Sequence, residues 1–168
     1  MRLLSLEWLL IAFVALVSAR VAVAEDPGFC QTVQDVVRAS RTDFSHWRGK
    51  VRDSVPTYDA KHTLPRTSDC RIERTGDTHY TCEWAYGEDE GGVARAAETT
   101  FLEAILDCFG NKVQEVRPAQ ESKAGRRQTT LLIIAQDDPG YAAELRVSSG
   151  RVSSTSTWYV EFSANRGK

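Results

Sequence analysis

Residues 70–84 read CRIERTGDTHYTCEW, and this stretch predicts an antiparallel hairpin. Apolar and polar side chains alternate on both sides of the turn Thr75-Gly76-Asp77. A three-residue loop places Cys70 opposite Cys82, where Cβ atoms are about 4.5–5.5 Å apart and a disulfide needs only a small adjustment. This register predicts one face that carries Cys70, Ile72, Tyr80, Cys82 and Trp84, and another that carries Arg71, Glu73, His79, Thr81 and Glu83.

The other two cysteines favour a second disulfide, although four cysteines allow three pairings. Cys30 lies near the start of a predicted helix and Cys108 near the end of another, so antiparallel helices bring them together. We therefore expect Cys30–Cys108 to enclose Cys70–Cys82, and the long outer loop to contribute about 4 kcal/mol. Short pairs of ligands, typical of zinc sites, are absent from the cysteine spacing, so we predict neither a metal site nor a reactive thiol.

The remaining chain predicts a second helix and several strands. The first helix follows Asp26-Pro27 and ends near Gly49, and the second runs from about Val93 to Phe109. Residues 50–67 are interpreted as a loop with a short strand near 51–55, and strands are expected near 113–116, 129–135, 141–148 and 152–163. The predicted order is α-β-β-α-β-β-β-β, an α+β fold with two helices packed on one face of an antiparallel sheet and braced by disulfides.

The N-terminus has the pattern of a secretion signal. Arg2 precedes an apolar stretch, Trp8 to Ala19, and the small residues of Ala22-Val23-Ala24 suit a cleavage site. We expect cleavage after Ala24, with a cut after Ala19 or an uncleaved anchor as alternatives. The prediction is residues 1–24 as signal and 25–168 as a single domain, exported to the periplasm or beyond and not bound to a membrane after cleavage.

Charge and composition exclude some classes of function. The 21 basic and 23 acidic residues lose Arg2, Arg20 and Glu7 with the signal, which leaves 19 and 22. A net charge of about −3 disfavours nucleic acid and anionic lipid, both of which require a basic surface. No cofactor is predicted, since the chain has neither a P-loop nor a G-x-G-x-x-G motif, and the nucleophile motifs G-x-S-x-G and S-x-x-K are also absent.

Four weaker candidates remain, and a structural role is favoured for each. His46, Trp47 and Arg48 together suit an anion or sugar site. The acidic run 88–90 suits calcium, but it also places negative charge before the second helix. Residues 123–127, KAGRR, form a basic loop that suits an acidic partner or a protease. His79 faces Glu73 in the hairpin register, an arrangement that suits an acid/base couple or a solvated charge pair.

Exposed aromatic residues on a sheet face are common anchors for partner proteins. We predict a partner-binding surface on the outer sheet face around Tyr159 and His79, with Tyr86 as a further outward aromatic. The sequence therefore favours a non-catalytic binding module: an inhibitor, immunity or accessory protein of a bacterial periplasm. The alternatives are a small cell-envelope hydrolase that uses an unidentified carboxylate or histidine, and a carrier of a small apolar ligand.

Overall fold

The structure is a computed structural model and describes residues 28–52, 56–122, 125–135 and 138–167. The predicted signal and Asp26-Pro27 lie outside these residues. Two short 3-10 turns occur, at Ser45–Trp47 and Gly110–Lys112. The helices and strands are α1 (Phe29–Ser40), β1 (Arg48–Val51), β2 (Thr57–Ala60), β3 (Asp69–Thr75), β4 (Asp77–Tyr86), α2 (Gly91–Phe109), β5 (Val113–Glu121), β6 (Arg127–Ala135), β7 (Asp138–Arg151) and β8 (Trp158–Arg166).

All eight strands form one antiparallel sheet with the order β1-β2-β3-β4-β8-β7-β6-β5. Each helix is followed by four strands, and the two four-stranded blocks meet where β4 pairs with β8. Helix α1 contacts β4, β6 and β8, and α2 contacts β4, β7 and β8. The predicted fold class, two helices on one face of an antiparallel sheet, is thereby confirmed.

The order of elements differs from the prediction by two strands. The true order is α-β-β-β-β-α-β-β-β-β, because β1 and β2 occupy part of the segment predicted as a loop. These strands have only four residues each and are interrupted by a register shift, so they carry almost no period-2 pattern. Helix α1 also ends earlier than predicted, since Asp43 and Phe44 adopt left-handed conformations that turn the Phe44 ring into the core.

The predicted hairpin register and both disulfides are confirmed. Strands β3 and β4 pair Cys70 with Cys82 directly, and the two Cα atoms are 4.2 Å apart. Cys30 and Cys108 are joined across the two helices, with a Cα–Cα distance of 5.3 Å. The inner disulfide therefore links the two strands of the hairpin, and the outer disulfide links α1 to α2.

Aromatic rings fill the space between the helices and the sheet. Phe101 of α2 lies 5.0 Å from Phe29 of α1, 4.6 Å from Trp84 and 5.9 Å from Phe162, measured between ring centroids. Three of these four side chains are at most 4% exposed and Trp84 is 6% exposed. The helices are thus held to the sheet by burial of apolar side chains.

A buried carboxylate also fixes α2 to the sheet. Glu98 is 2% exposed and accepts a hydrogen bond of 2.5 Å from the Ser149 hydroxyl on β7. The Arg127 Nε atom on β6 lies 3.4 Å from its other oxygen. A buried charge is tolerated when it has such partners, so this cluster fixes the position of α2 against β7.

Candidate functional site

The face of the sheet opposite the helices, here called the open face, is covered by neither helix. Within the described residues, its outward positions on β3, β4, β7 and β8 are mostly charged or polar. Thr81, Ser148 and Ser163 on this face are at most 9% exposed although no helix lies over them. Long charged side chains therefore form a dense layer above the strands.

Two carboxylates lie directly opposite each other at the centre of the open face. The pairing of β4 with β8 aligns Glu83 with Glu161, near the junction of the two halves of the sheet. Like charges in such cross-strand positions are destabilising. Arginines on either side offset part of this repulsion: an Arg71 nitrogen is 3.8 Å from Glu83, and an Arg126 nitrogen is 2.7 Å from Glu161.

Nearby arginines offset the negative charge of Glu83 less well than that of Glu161. The pKa of Glu83 is raised, first by burial and then by the charges of Glu161 and Asp69, while Arg71 acts in the opposite direction. An ionised Glu83 therefore destabilises the folded protein at neutral pH, since the fold favours its neutral form. A cation placed between the two carboxylates would relieve this strain.

Tyr159 lies beside the carboxylate pair on β8. Its neighbours across the two adjacent strands are Ala85 and Gly150, which are small enough for the ring to lie against the sheet. A Cβ atom on Gly150 would lie only 2.8 Å from the Tyr159 hydroxyl oxygen, so the ring covers this glycine. The pKa of Tyr159 is raised by burial, and the charge of Arg126 acts against the rise.

The three aromatic and histidine residues predicted to bind a partner do not form one site. His79 does lie on the open face opposite Glu73, but Glu73 bonds to Arg71 Nε at 2.5 Å. His79 is six residues along β4 from the position that pairs with Tyr159, about 20 Å away. Tyr86 shares the helix side with Trp84 and packs against the core, because β4 alternates without interruption.

A shallow groove of about 410 Å³ opens on the outer half of the open face. Its floor is on β6 and its walls are on β5, β7 and the loop before β6. Its lining is polar throughout and includes three arginines, Arg117, Arg126 and Arg146, and two glutamates, Glu121 and Glu144. This groove is continuous with the carboxylate pair, since Arg126 lines the groove and also binds Glu161.

The candidate anion or sugar site is divided by the fold. His46 and Trp47 line a groove of about 330 Å³ together with His62, whose ring centroid is 4.6 Å from that of Trp47. Arg48 is directed elsewhere: its guanidinium lies 5.4 Å from the centroid of the Tyr58 ring and donates to the Asp43 carbonyl. The groove thus holds two imidazoles and one indole beside Asp35 and Arg38 of α1, and Arg48, which sequence reasoning had placed there, is not part of it.

The acidic run 88–90 and the described part of the basic segment 123–127 make mainly structural contacts. Glu90 accepts a hydrogen bond from the Gly87 amide just before α2, and Glu88 lies 3.4 Å from Arg151. In the basic segment, Arg126 reaches the open face and Arg127 reaches Glu98 on the helix side. Lys123 and Ala124 lie outside the described residues.

Sequence reasoning missed the carboxylate pair because the pairing of β4 with β8 is not local. Alternation along each strand places Glu83, Tyr159 and Glu161 on the outward side. Nothing in the sequence indicates that β4 and β8 are neighbours, or that the register aligns two glutamates that lie 78 residues apart in the chain. The pairing of β4 with β8 alone brings these side chains together.

Comparison of the chain with protein-family models, curated proteins and solved structures finds no match. Neither helix of the described part is long and apolar enough to cross a membrane. Across the same residues, no three His, Cys, Asp or Glu side chains are grouped to hold a metal ion. The function of the open face is therefore inferred from its own residues and their contacts.

Proposed function

We propose that this protein is an exported, non-catalytic binding module whose open face docks a partner protein. The observation that carries the proposal is the opposed pair Glu83 and Glu161 at the centre of an uncovered sheet face. A fold under selection for stability alone has no reason to oppose two carboxylates there, and local violations of this kind are expected at functional sites. The partner presents a lysine or arginine to the pair.

Charge complementarity supports a cationic contact on the partner. The half of the open face formed by β2, β3, β4 and β8 carries six carboxylates: Asp59, Asp69, Glu73, Asp77, Glu83 and Glu161. Arg52 and Arg71 bind four of them, and Arg126 binds Glu161, so six carboxylates face three arginines. The excess negative charge attracts a basic surface of the partner to this half of the open face and fixes how the two surfaces align.

Tyr159 supports the same location for the interface. Its ring lies flat beside the carboxylates and is half-buried already in the isolated chain. An aromatic side chain held in one orientation loses little conformational entropy on binding, which is why such residues often dominate interface energies. Tyr159 therefore serves as the apolar anchor beside the ionic contact.

Export is the part of the proposal that rests on the N-terminal sequence and the cysteines. Two disulfides are typical of proteins that fold in oxidising compartments, and residues 1–24 have the pattern of a secretion signal. A bacterial periplasm provides such a compartment. N-terminal sequencing of the exported protein should begin at Glu25, and an intact Met1 would contradict cleavage.

Parallel affinity capture from an extract of the native cells tests the proposal. The oxidised protein is immobilised as wild type, as the double variant Glu83→Gln/Glu161→Gln, and as the control Glu73→Gln on the same face. We expect one stoichiometric protein on the wild-type and control columns and its loss from the double variant. Equal capture by the double variant, or capture of no stoichiometric protein, would contradict the proposal.

The carboxylate pair also favours one alternative, a small cell-envelope hydrolase. Retaining glycosidases use two carboxyl groups about 5–5.5 Å apart, one of which has a raised pKa. Release of reducing ends from envelope glycan, lost in Glu83→Gln, would support this alternative. The apolar-carrier alternative gains no support, because aromatic side chains fill the space between helices and sheet.

A further inference from the structure

The groove on the outer half of the open face is built into the edge of the sheet. Strand β5 pairs with β6 through two register shifts, one of which falls between Arg117 and Gln120. Bulges of this kind bend an edge strand and increase its twist. The bend lets side chains of β5, β6 and β7 converge, and it gives the otherwise flat open face a concave region.

Three arginines line this groove from three different segments. Arg117 comes from β5, Arg126 from the loop before β6, and Arg146 from β7. Arg126 donates from one nitrogen, Nη2, to both Ser148 and Glu161, at 3.2 and 2.7 Å. Arg146 contacts Glu144 on its own strand. Such contacts hold the side chains in place before a ligand arrives, which lowers the entropic cost of binding.

The acidic residues of the groove do not cancel this character. Two carboxylates line the groove and both are already paired: Glu144 with Arg146 on β7, and Glu121, at the rim, with Arg95 of α2 at 3.3 Å. A guanidinium has five N–H donors, so an arginine that gives one or two to a protein acceptor can still bind a carboxylate. Gln120, Gln128 and Thr130 add neutral donors around the three arginines.

We propose that this groove is a carboxylate subsite that takes an acidic side chain of the docked protein. The subsite rests on the proposed function and specifies the partner further. The floor of the groove on β6 is two strands away from β8, about 10 Å from the carboxylate pair. An extended segment that crosses the strands rises about 3.3 Å per residue and points alternate side chains to the same face, so residues two or four positions apart can reach both places. The partner segment therefore carries a basic residue and, two or four positions away, an acidic one.

A peptide titration tests the subsite directly. The full oxidised protein is titrated with acetyl-tetraglutamate amide and, separately, with acetyl-tetralysine amide, and backbone amides are followed by ¹H–¹⁵N NMR. We expect saturable shifts from the acidic peptide that cluster on β5, β6 and β7. Arg146→Gln should raise the dissociation constant about fivefold, the loss of one exposed charge-assisted bond.

Arg74→Gln is the matched control, because Arg74 is exposed at the far end of β3 and the charge change is identical. Arg117→Gln provides a second variant if Arg146→Gln loses the dispersed spectrum of a folded protein. Equal effects of the groove and control variants, shifts outside β5–β7, or no binding of the acidic peptide would overturn the subsite. If the peptide titration fails but capture still depends on Glu83 and Glu161, the subsite is wrong and the proposed function stands. If the acidic peptide binds as expected but capture does not depend on these two residues, the proposed function is wrong and the subsite stands.

Discussion

Glu83 is the residue at which stability and function are expected to conflict. Its pKa is raised by burial and by Glu161, so Glu83→Gln should increase the free energy of unfolding at pH 7 by about 0.2–1 kcal/mol. Below the unfolded pKa of about 4.3 the carboxyl is neutral in both states, so the gain should appear only as the pH rises. Urea unfolding at pH 3.5 and 7 measures this difference.

Glu73→Gln is the control for this experiment, since Glu73 bonds to Arg71 and has no carboxylate opposite it. It should leave stability unchanged or slightly reduced at pH 7. A Glu83→Gln protein less stable than wild type at pH 7 would show that the carboxylate pair is not strained.

Gly150 is the second residue with a specific role, because it makes room for the Tyr159 ring. Gly150→Ala introduces a Cβ within 2.8–3.1 Å of three Tyr159 atoms, so the ring must move away from the sheet. The pKa of Tyr159 should then fall toward its ordinary value of about 10, because burial is the main cause of its rise. Spectrophotometric titration against a Tyr159→Phe reference measures this pKa; an unchanged value would contradict the packing.

At the scale of elements, Glu98 is expected to hold α2 on the sheet. Glu98→Ala leaves the Ser149 hydroxyl without its acceptor and Arg127 without its ion-pair partner, which should lower the free energy of unfolding by about 2–3 kcal/mol. Glu103→Ala, on the exposed side of the same helix, should change it by less than about 0.5 kcal/mol. Urea denaturation compares the two, and equal effects would remove this role for Glu98.

The two disulfides differ in accessibility. Cys70 and Cys82 are at most 5% exposed, whereas Cys30 and Cys108 are only partly buried. Limited reduction followed by alkylation and peptide mass spectrometry should therefore label Cys30 and Cys108 first. Loss of that bond should destabilise the protein by about 4 kcal/mol in the chain-entropy model. Earlier labelling of Cys70 and Cys82 would contradict the order.

Local patterns in the sequence predict some elements well and others poorly. The β3–β4 hairpin was predictable residue by residue, because its turn and its alternation agree. The four-residue strands β1 and β2 were not, since β2 owes its conformation to pairing with β3, and β1 to pairing with β2, rather than to a periodic pattern.

Over the whole molecule, the open face exists because the four-stranded blocks join at β4 and β8. This junction places both helices on one side and aligns Glu83 with Glu161 on the other. The outward position of Glu83, Tyr159 and Glu161 was predictable from alternation, but their proximity was not, because it depends on a pairing between distant strands. The edges of the sheet are less suited to pairing with a strand of another chain, because register shifts interrupt both β1 and β5.

The most direct test of the central claim is the affinity of the captured partner for Glu83→Gln, measured by titration calorimetry beside wild type and Glu73→Gln. The carboxylate pair predicts about tenfold weaker binding for Glu83→Gln, equivalent to about 1.4 kcal/mol, in a protein that is more stable than wild type. Glu73→Gln should bind like wild type. An unchanged or higher affinity of Glu83→Gln would contradict docking at the open face.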